Sequence, residues 1–257
     1  MITKSPRATE AFGERFNMML ALLAFSSPDK PADSNSILCR VLDGRELEEV
    51  CTIDAAILTH DERAHYAHLH NPHQRALAYR TRAELKRMLG REIGVPPQLV
   101  PLQCDEHGKP RCLHPLAAGL DFSVSHSEEC SLIALGEADG IGVDVERIVD
   151  DEPSDELLEI VFDQEELEQW LALPEPFHRR AFTEAWTVKE ATLKATGAGL
   201  DGSPHEIRIR FTPDGHAEPV FGKSNWVFER VNFCPHHAAS CVVILPMPEN
   251  GQRGMAA

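Results

Sequence analysis

Basic side chains are scarce in this chain of 257 residues. Lys and Arg together number 25 against 41 Asp and Glu, so the formal net charge is −16 at pH 7. A general DNA- or RNA-binding protein needs a basic face to meet phosphate groups, and this balance argues against nucleic acid as a partner. The composition still allows a local basic patch that binds one anionic ligand.

Long apolar runs and paired cysteine motifs are also missing. The longest early apolar run, residues 18–25, is too short to cross a membrane, and the start of the chain lacks the features of a secretory signal. The seven cysteines are odd in number and irregularly spaced, with no C-x-x-C, which argues against a disulfide scaffold or a zinc ribbon. We therefore expect a cytoplasmic protein that does not bind a membrane.

What remains is the composition of an ordinary globular protein, with 42% hydrophobic and 26% charged residues. Helix patterns followed by strand patterns occur twice along the chain, which predicts an α+β fold of two similar subdomains. We expect an N-terminal subdomain at 37–137 and a C-terminal subdomain at 138–246. Residues 1–36 are expected to be weakly structured apart from an apolar helix around 16–25, and residues 247–257 to be a disordered tail.

Two carboxylates stand out in the segment Gly140-Ile-Gly-Val-Asp-Val-Glu146. On a β-strand, the side chains of Asp144 and Glu146 point to one face and the alternating apolar residues to the other. Hard oxygen ligands presented in this way suit Mg²⁺, which completes its shell with water and substrate phosphate. The alternative is a solvated strand face near a turn.

A second group lies in the helical segment Trp186-Thr-Val-Lys-Glu-Ala-Thr-Leu-Lys194. Glu190 and Lys194 are i, i+4 neighbours, and Trp186 lies one turn before Glu190. The functional interpretation places the carboxylate beside a metal ion and directs the ammonium at phosphate oxygens. The alternative is a surface ion pair that stabilises the helix by about 0.3 kcal/mol.

Two further features are candidates for binding an anion. The segment Phe122-Ser-Val-Ser-His-Ser127 places hydroxyls and an imidazole at a strand end, although turn-forming serines beside an incidental histidine would look the same. Several basic residues cluster in the predicted helical region before residue 92, where the alternative is a solvated helix face. The cluster comprises Arg63, Arg75, Arg80, Arg82, Lys86, Arg87 and Arg91.

Taken in order, four short motifs resemble those of the 4′-phosphopantetheinyl transferases. The length and two-part layout are similar to the monomeric, Sfp-like type, in which one chain carries two copies of a fold as a pseudo-dimer. The resemblance implies Mg²⁺-dependent transfer of the phosphopantetheine arm of coenzyme A to a serine of an acyl or peptidyl carrier protein. The motifs are Gly108-Lys-Pro110, Phe122-Ser-Val-Ser-His-Ser127, Gly142-Val-Asp-Val-Glu146 and Trp186-Thr-Val-Lys-Glu-Ala191.

The resemblance also implies roles for individual residues. Asp144, Glu146 and Glu190 would bind Mg²⁺, and Glu190 would also act, through water, as the base for the carrier serine. Lys194 would neutralise charge on the α-phosphate, and Lys189 accompanies it in the catalytic motif. The residues expected to bind coenzyme A are Arg63, Arg75 and Arg82 at the 3′-phosphate, Lys109 in the nucleotide pocket, and Ser125, His126 and Lys194 at the other phosphates.

The chain departs from the family pattern at the phosphate-binding strand, where Ser123 replaces a frequent Asn. Glu166 resembles a family glutamate that is either a further ligand or a structural partner. Two other functions also stay open at this point. One is a different Mg²⁺-dependent phosphoryl or nucleotidyl transferase, and the other is a catalytically silent module that binds coenzyme A or carrier proteins.

Overall fold

The computed structural model describes residues 18–24, 36–45, 47–105, 108–198 and 202–247, and for residues 18–24 it describes the backbone alone. Most of the predicted N-terminal segment (1–17 and 25–35) and most of the predicted tail (248–257) lie outside these ranges. In the described part, none of the helices is both long and apolar enough to span a lipid bilayer.

The mixed helix and strand content confirms the α+β fold class. The strands are β1 (Met18–Ala24), β2 (Ser36–Asp43), β3 (Leu102–Cys104), β4 (Pro110–Cys112), β5 (Leu120–His126), β6 (Cys130–Glu137), β7 (Gly140–Arg147), β8 (Ile209–Phe211), β9 (Ala217–Pro219), β10 (Trp226–Arg230) and β11 (His237–Ile244). The helices are α1 (Thr52–Ile57), α2 (His60–Tyr66), α3 (Pro72–Ile93), α4 (Asp155–Val161), α5 (Gln164–Leu171) and α6 (His178–Thr196).

Two antiparallel sheets carry the fold. The first has the strand order β1-β2-β6-β5 and the second the order β10-β11-β7, while β3-β4 and β8-β9 form two small ribbons. Alternate side chains of β2, β6, β7 and β11 meet in one apolar core between the two sheets. Helix α3 covers the other face of the first sheet, and α6 covers the other face of the second.

The two halves repeat one local arrangement. Thr59 and Glu62 form the predicted capping box at the start of α2, and Asp163 and Glu166 form another at the start of α5. Each of these glutamates then pairs with a buried lysine on the following long helix: Glu62 with Lys86 at 2.9 Å, and Glu166 with Lys189 at 2.6 Å. In each half, one carboxylate thus fixes a short helix against a long one.

The predicted apolar helix around residues 16–25 is wrong, because residues 18–24 form β1. This strand pairs along its whole length with β2. A short apolar run fits a buried strand as well as a helix, and seven residues are too few for a stable isolated helix. The neighbouring strand provides backbone hydrogen-bond partners for the whole segment, which decides between the two structures.

Two glycines of β7 allow the backbone of α6 to lie directly against the strand. A Cβ atom added at Gly142 would come within 1.8 Å of the carbonyl oxygen of Ala191, and one added at Gly140 within 2.1 Å of that of Ala195. Distances this short are impossible for real atoms, so any side chain at either position would push the helix away from the strand.

We expect Gly142→Ala to lower the free energy of unfolding by about 3 kcal/mol, the upper end for inserting a methyl group into a packed interior. The clash is with main chain, which cannot rotate away. Urea unfolding of both proteins measures the difference. Gly222→Ala is the matched control, because a Cβ there meets nothing within 4 Å; its change should stay below about 0.5 kcal/mol. Equal stability of the two variants would contradict the close approach of α6.

Candidate active site

The two carboxylates of β7 lie on the face that α6 covers. Ile141, Val143 and Val145 point into the core between the sheets, as the alternation of the strand requires. Asp144 is 3% exposed and Glu146 is half-buried. The sequence prediction that these two side chains share a face opposite the apolar residues is therefore confirmed.

Asp144 is the centre of a short hydrogen-bond network. Its Oδ1 accepts hydrogen bonds from the hydroxyl of Ser125 on β5 and from Nζ of Lys194 on α6, both at 2.7 Å. Nζ of Lys194 also lies 3.3 Å from the hydroxyl oxygen of Ser125. Three elements that are distant in sequence thus meet at one carboxylate oxygen.

The neighbouring carboxylates carry raised pKa values. Burial, and then the charges of Asp144 and Glu190, raise the pKa of Glu146 to about 7, while Lys194 and a hydrogen bond from Trp186 oppose the shift. Burial also raises the pKa of Glu190, which Asp144 raises further and Lys194 lowers. Three acidic groups therefore share one partly desolvated volume, where an additional cation would relieve their repulsion.

The donor set fits a divalent cation that prefers oxygen. Oδ2 of Asp144 is buried and has no hydrogen-bond partner among the described residues, an unusual state for a carboxylate oxygen. Within those same residues, no three His, Cys, Asp or Glu side chains converge as a complete metal site. Mg²⁺ does not need one, because it keeps several waters and takes further ligands from a substrate phosphate.

Strand β5 presents three polar side chains to β7 across the boundary between the two sheets. The main-chain N–H of Ile141 donates to Oδ2 of Asp121 at 2.7 Å, and that of Val143 donates to the hydroxyl of Ser123 at 3.1 Å. Ser125, two residues further on, reaches Asp144. Ser123, the departure from the family pattern, thus holds the edge of β7 in place.

His126 ends β5 beside this network. Desolvation and the positive charge of Lys194 lower the pKa of His126, and the negative charge of Asp144 opposes them. The imidazole is therefore held towards its neutral form, in which one ring nitrogen donates and the other accepts a hydrogen bond. The structure brings His126 together with Ser125, Asp144 and Lys194, as the motifs predicted.

Lys189 is not brought to the carboxylate cluster. Its ammonium is buried and pairs with Glu166 at 2.6 Å. Glu166 also accepts hydrogen bonds from the main-chain N–H groups of Asp163 and Ile209. Glu166 is therefore a structural partner, and the contact of Lys189 lies between α5 and α6.

The three arginines expected at the 3′-phosphate all make contacts within the N-terminal half. Arg63 donates to the carbonyl oxygen of Leu58 at 2.6 Å, and Arg75 donates to that of Leu69 at 3.0 Å. Nε of Arg82 lies 3.2 Å from Oε1 of Glu62. Each guanidinium therefore has at least one contact within the N-terminal half that restricts its position.

Lys109, which the resemblance places in the nucleotide pocket, is largely enclosed by the fold. Its side chain is 14% exposed and pairs with Asp121 at 2.8 Å. Asp121 is the residue that the sequence analysis missed. The available signal was its i, i+2, i+4 spacing with Ser123 and Ser125, which places the three side chains on one face of a strand that extends back to Asp121.

Comparison with known proteins gives one consistent family. The model of the 4′-phosphopantetheinyl transferase superfamily matches residues 140–242. The chain is similar to the 4′-phosphopantetheinyl transferase HetI of Nostoc sp., with 34% identity over 160 residues, 62% of this chain and 67% of HetI. It is also similar to psf-1 of Bacillus pumilus, with 25% identity over 62% of this chain and 60% of psf-1. A fungal relative, pptA of Paxillus involutus, is 35% identical over 45% of this chain and 51% of pptA.

We expect metal-free Glu146→Gln to be more stable than the wild type at pH 8 and equally stable at pH 4. A carboxylic acid whose pKa is raised in the folded state stabilises the fold while protonated, and that contribution is lost as pH rises from about 4.5 to about 7. With solvent screening taken into account, the gain at pH 8 is about 1 kcal/mol, or about 3 °C in Tm. Thermal unfolding in EDTA measures it.

Glu175→Gln is the charge-matched control, since Glu175 is exposed. Its Tm should follow that of the wild type at both pH values. A Glu146→Gln variant that gains no stability at pH 8 would contradict the crowding of the three carboxylates.

Proposed function

The chain belongs to the 4′-phosphopantetheinyl transferase superfamily, and on this premise we propose that it transfers the 4′-phosphopantetheine arm of coenzyme A to a serine of an acyl or peptidyl carrier protein. The products are the holo carrier protein and 3′,5′-ADP. The observation that carries the proposal is the meeting of Lys194, Ser125 and Asp144 beside two further carboxylates. Phosphoryl-type transfer requires groups that position the phosphate and neutralise its charge, and a cation site next to a lysine and a hydroxyl supplies such groups.

Asp144, Glu146 and Glu190 would hold Mg²⁺, with the unpartnered Oδ2 of Asp144 as the first ligand atom. Mg²⁺, when bound, supplies charge neutralisation on the pyrophosphate and so eases departure of 3′,5′-ADP. The repulsion between the half-buried carboxylates of Glu146 and Glu190 would be smaller with the cation bound.

Two residues of the chain, Glu190 and Lys194, take part in the transfer step. Glu190 accepts the proton of the carrier serine through a water molecule. The serine oxygen forms a bond to the β-phosphorus of coenzyme A, and the bond from that phosphorus to the bridging oxygen of 3′,5′-ADP breaks. Lys194, held at 2.7 Å from Asp144, neutralises negative charge that develops on the phosphate oxygens.

Binding of coenzyme A involves both halves of the fold. Ser125 and His126 hold the pyrophosphate, and the protonated nitrogen of an imidazole can donate a hydrogen bond to a phosphate oxygen. Arg63, Arg75 and Arg82 meet the 3′-phosphate, each with its guanidinium already anchored by one contact. Lys189 contributes through Glu166, which fixes α6 and therefore the helix that carries Glu190.

The setting of the reaction is proposed to be the cytoplasm, with the protein acting as a monomer. All seven cysteines are free thiols, in keeping with a reducing compartment. In this proposal, residues 37–137 and 138–246 correspond to the two copies of the fold that the monomeric type combines in one chain.

Incubation of the purified protein with an apo carrier protein, coenzyme A and Mg²⁺, followed by intact-mass spectrometry, tests the proposal. We expect the carrier to gain one phosphopantetheine, and the gain to disappear in EDTA. Glu190→Gln should lower kcat by about 10²-fold or more, the usual effect of losing a general base, while Glu175→Gln should keep it. No gain on several carrier types, despite measurable binding of coenzyme A, would instead support a silent binding module.

A further inference from the structure

Lys109 lies in a buried junction between β5, β7 and the end of α6. Its Nζ donates to Oδ2 of Asp121 on β5 at 2.8 Å, to the carbonyl oxygen of Ile141 on β7 at 3.1 Å, and to that of Lys194 on α6 at 3.4 Å. These are three acceptors for the three donors of an ammonium group. One side chain therefore satisfies its hydrogen-bonding capacity entirely within the fold.

Asp121 completes the junction from the other side. Its Oδ2 also accepts the main-chain N–H of Ile141 at 2.7 Å, and its Oδ1 accepts a hydrogen bond from Arg111 at 3.0 Å. The carboxylate is 7% exposed, so these contacts replace most of its hydration. Lys109 and Asp121 together bind both polar main-chain groups of Ile141, and thereby fix β7 relative to β5.

The same junction holds the main chain of the proposed catalytic lysine. The carbonyl oxygen of Lys194 is an acceptor for Lys109, while the side chain of Lys194 reaches Asp144 at 2.7 Å. Ala195, the next residue, lies with its carbonyl directly over Gly140. A shift of this last turn of α6 would therefore move the ammonium of Lys194 relative to β7.

We propose that Lys109 and Asp121 are positioning residues that set the location of Lys194, and that Lys109 does not act by contacting the nucleotide. This inference rests on the proposed transferase function. Burial lowers the pKa of Lys109, and the charge and hydrogen bond of Asp121 oppose that shift. An ammonium that is enclosed in this way contributes to geometry more than to ligand binding.

The two roles predict opposite kinetic changes in Lys109→Met. Loss of a direct nucleotide contact would raise the Kd for coenzyme A and leave kcat nearly unchanged. Loss of a positioning contact would displace Lys194 and lower kcat, because a misplacement of about 1 Å costs about 10²-fold in rate. We expect kcat to fall by about 10- to 100-fold, a larger factor than any rise in the Kd for coenzyme A that the displacement of Lys194 causes.

The experiment measures kcat by intact-mass time courses, and the Kd for coenzyme A by calorimetry, well below the Tm of each variant. Asp121→Asn is the second variant and should give the same pattern if Lys109→Met folds poorly. Lys223→Met, on an exposed residue, is the matched control and should change neither quantity. A raised Kd with kcat retained, or no change in either, would overturn the positioning role.

Amide hydrogen exchange at Ile141 measures how often the hydrogen bond to Asp121 opens, and it does not depend on catalytic turnover. Its N–H bonds to Asp121, so we expect exchange at least 10-fold faster in Lys109→Met than in the wild type and in Lys223→Met. Unchanged exchange would overturn the inference even if the wild type were active. A wild type that transfers nothing to any carrier would instead overturn the proposed function, while faster exchange would still support the junction.

Discussion

The contact between the main chain of α6 and the strand β7 is the constraint on which the rest of the site depends. It exists because Gly140 and Gly142 have no side chain. The carbonyl oxygens of Ala195 and Ala191 therefore occupy the space that Cβ atoms at positions 140 and 142 would need. At this short separation, the next outward-pointing residue of the strand, Asp144, meets the side chain of Lys194 directly. A larger residue at position 142 would separate the helix from the strand and leave two charged groups without their partners.

The second requirement is that the two sheets meet at a defined register. The edges of β5 and β7 belong to different sheets, and side chains of β5 join them. Asp121 and Ser123 accept main-chain N–H groups of β7, and Ser125 donates to Asp144. Because these three residues alternate along one strand, a register shift would break all three contacts at once. The same side chains therefore fix the sheets and build part of the site.

Features with a local periodicity could be predicted from the sequence. The alternation of β7 placed Asp144 and Glu146 on one face, and the capping box at Thr59 marked the start of α2. The apolar run at 18–24 was wrongly predicted to be a helix, because its structure depends on pairing with β2, which no local sequence pattern indicates.

The contacts of two lysines, Lys109 and Lys189, also could not be predicted from the sequence. Lys189 shares a motif with Glu190, and Lys109 forms a motif with Gly108 and Pro110. Their ammonium groups pair with Asp121 and Glu166, which lie outside these motifs. Proximity in a motif does not give the direction of a side chain. On a helix, Lys189 and Glu190 point about 100° apart, so one can face a neighbouring helix while the other faces the site.

We propose that Asp144, Glu146 and Glu190 form one cation site beside Lys194. The most direct measurement is the binding of Mn²⁺, as a spectroscopic substitute for Mg²⁺, followed by electron paramagnetic resonance in the presence of coenzyme A. We expect Asp144→Asn to weaken Mn²⁺ binding at least 10-fold, since it removes the carboxylate whose Oδ2 has no partner within the described residues. Equal affinity in the wild type and the variant would contradict the proposal.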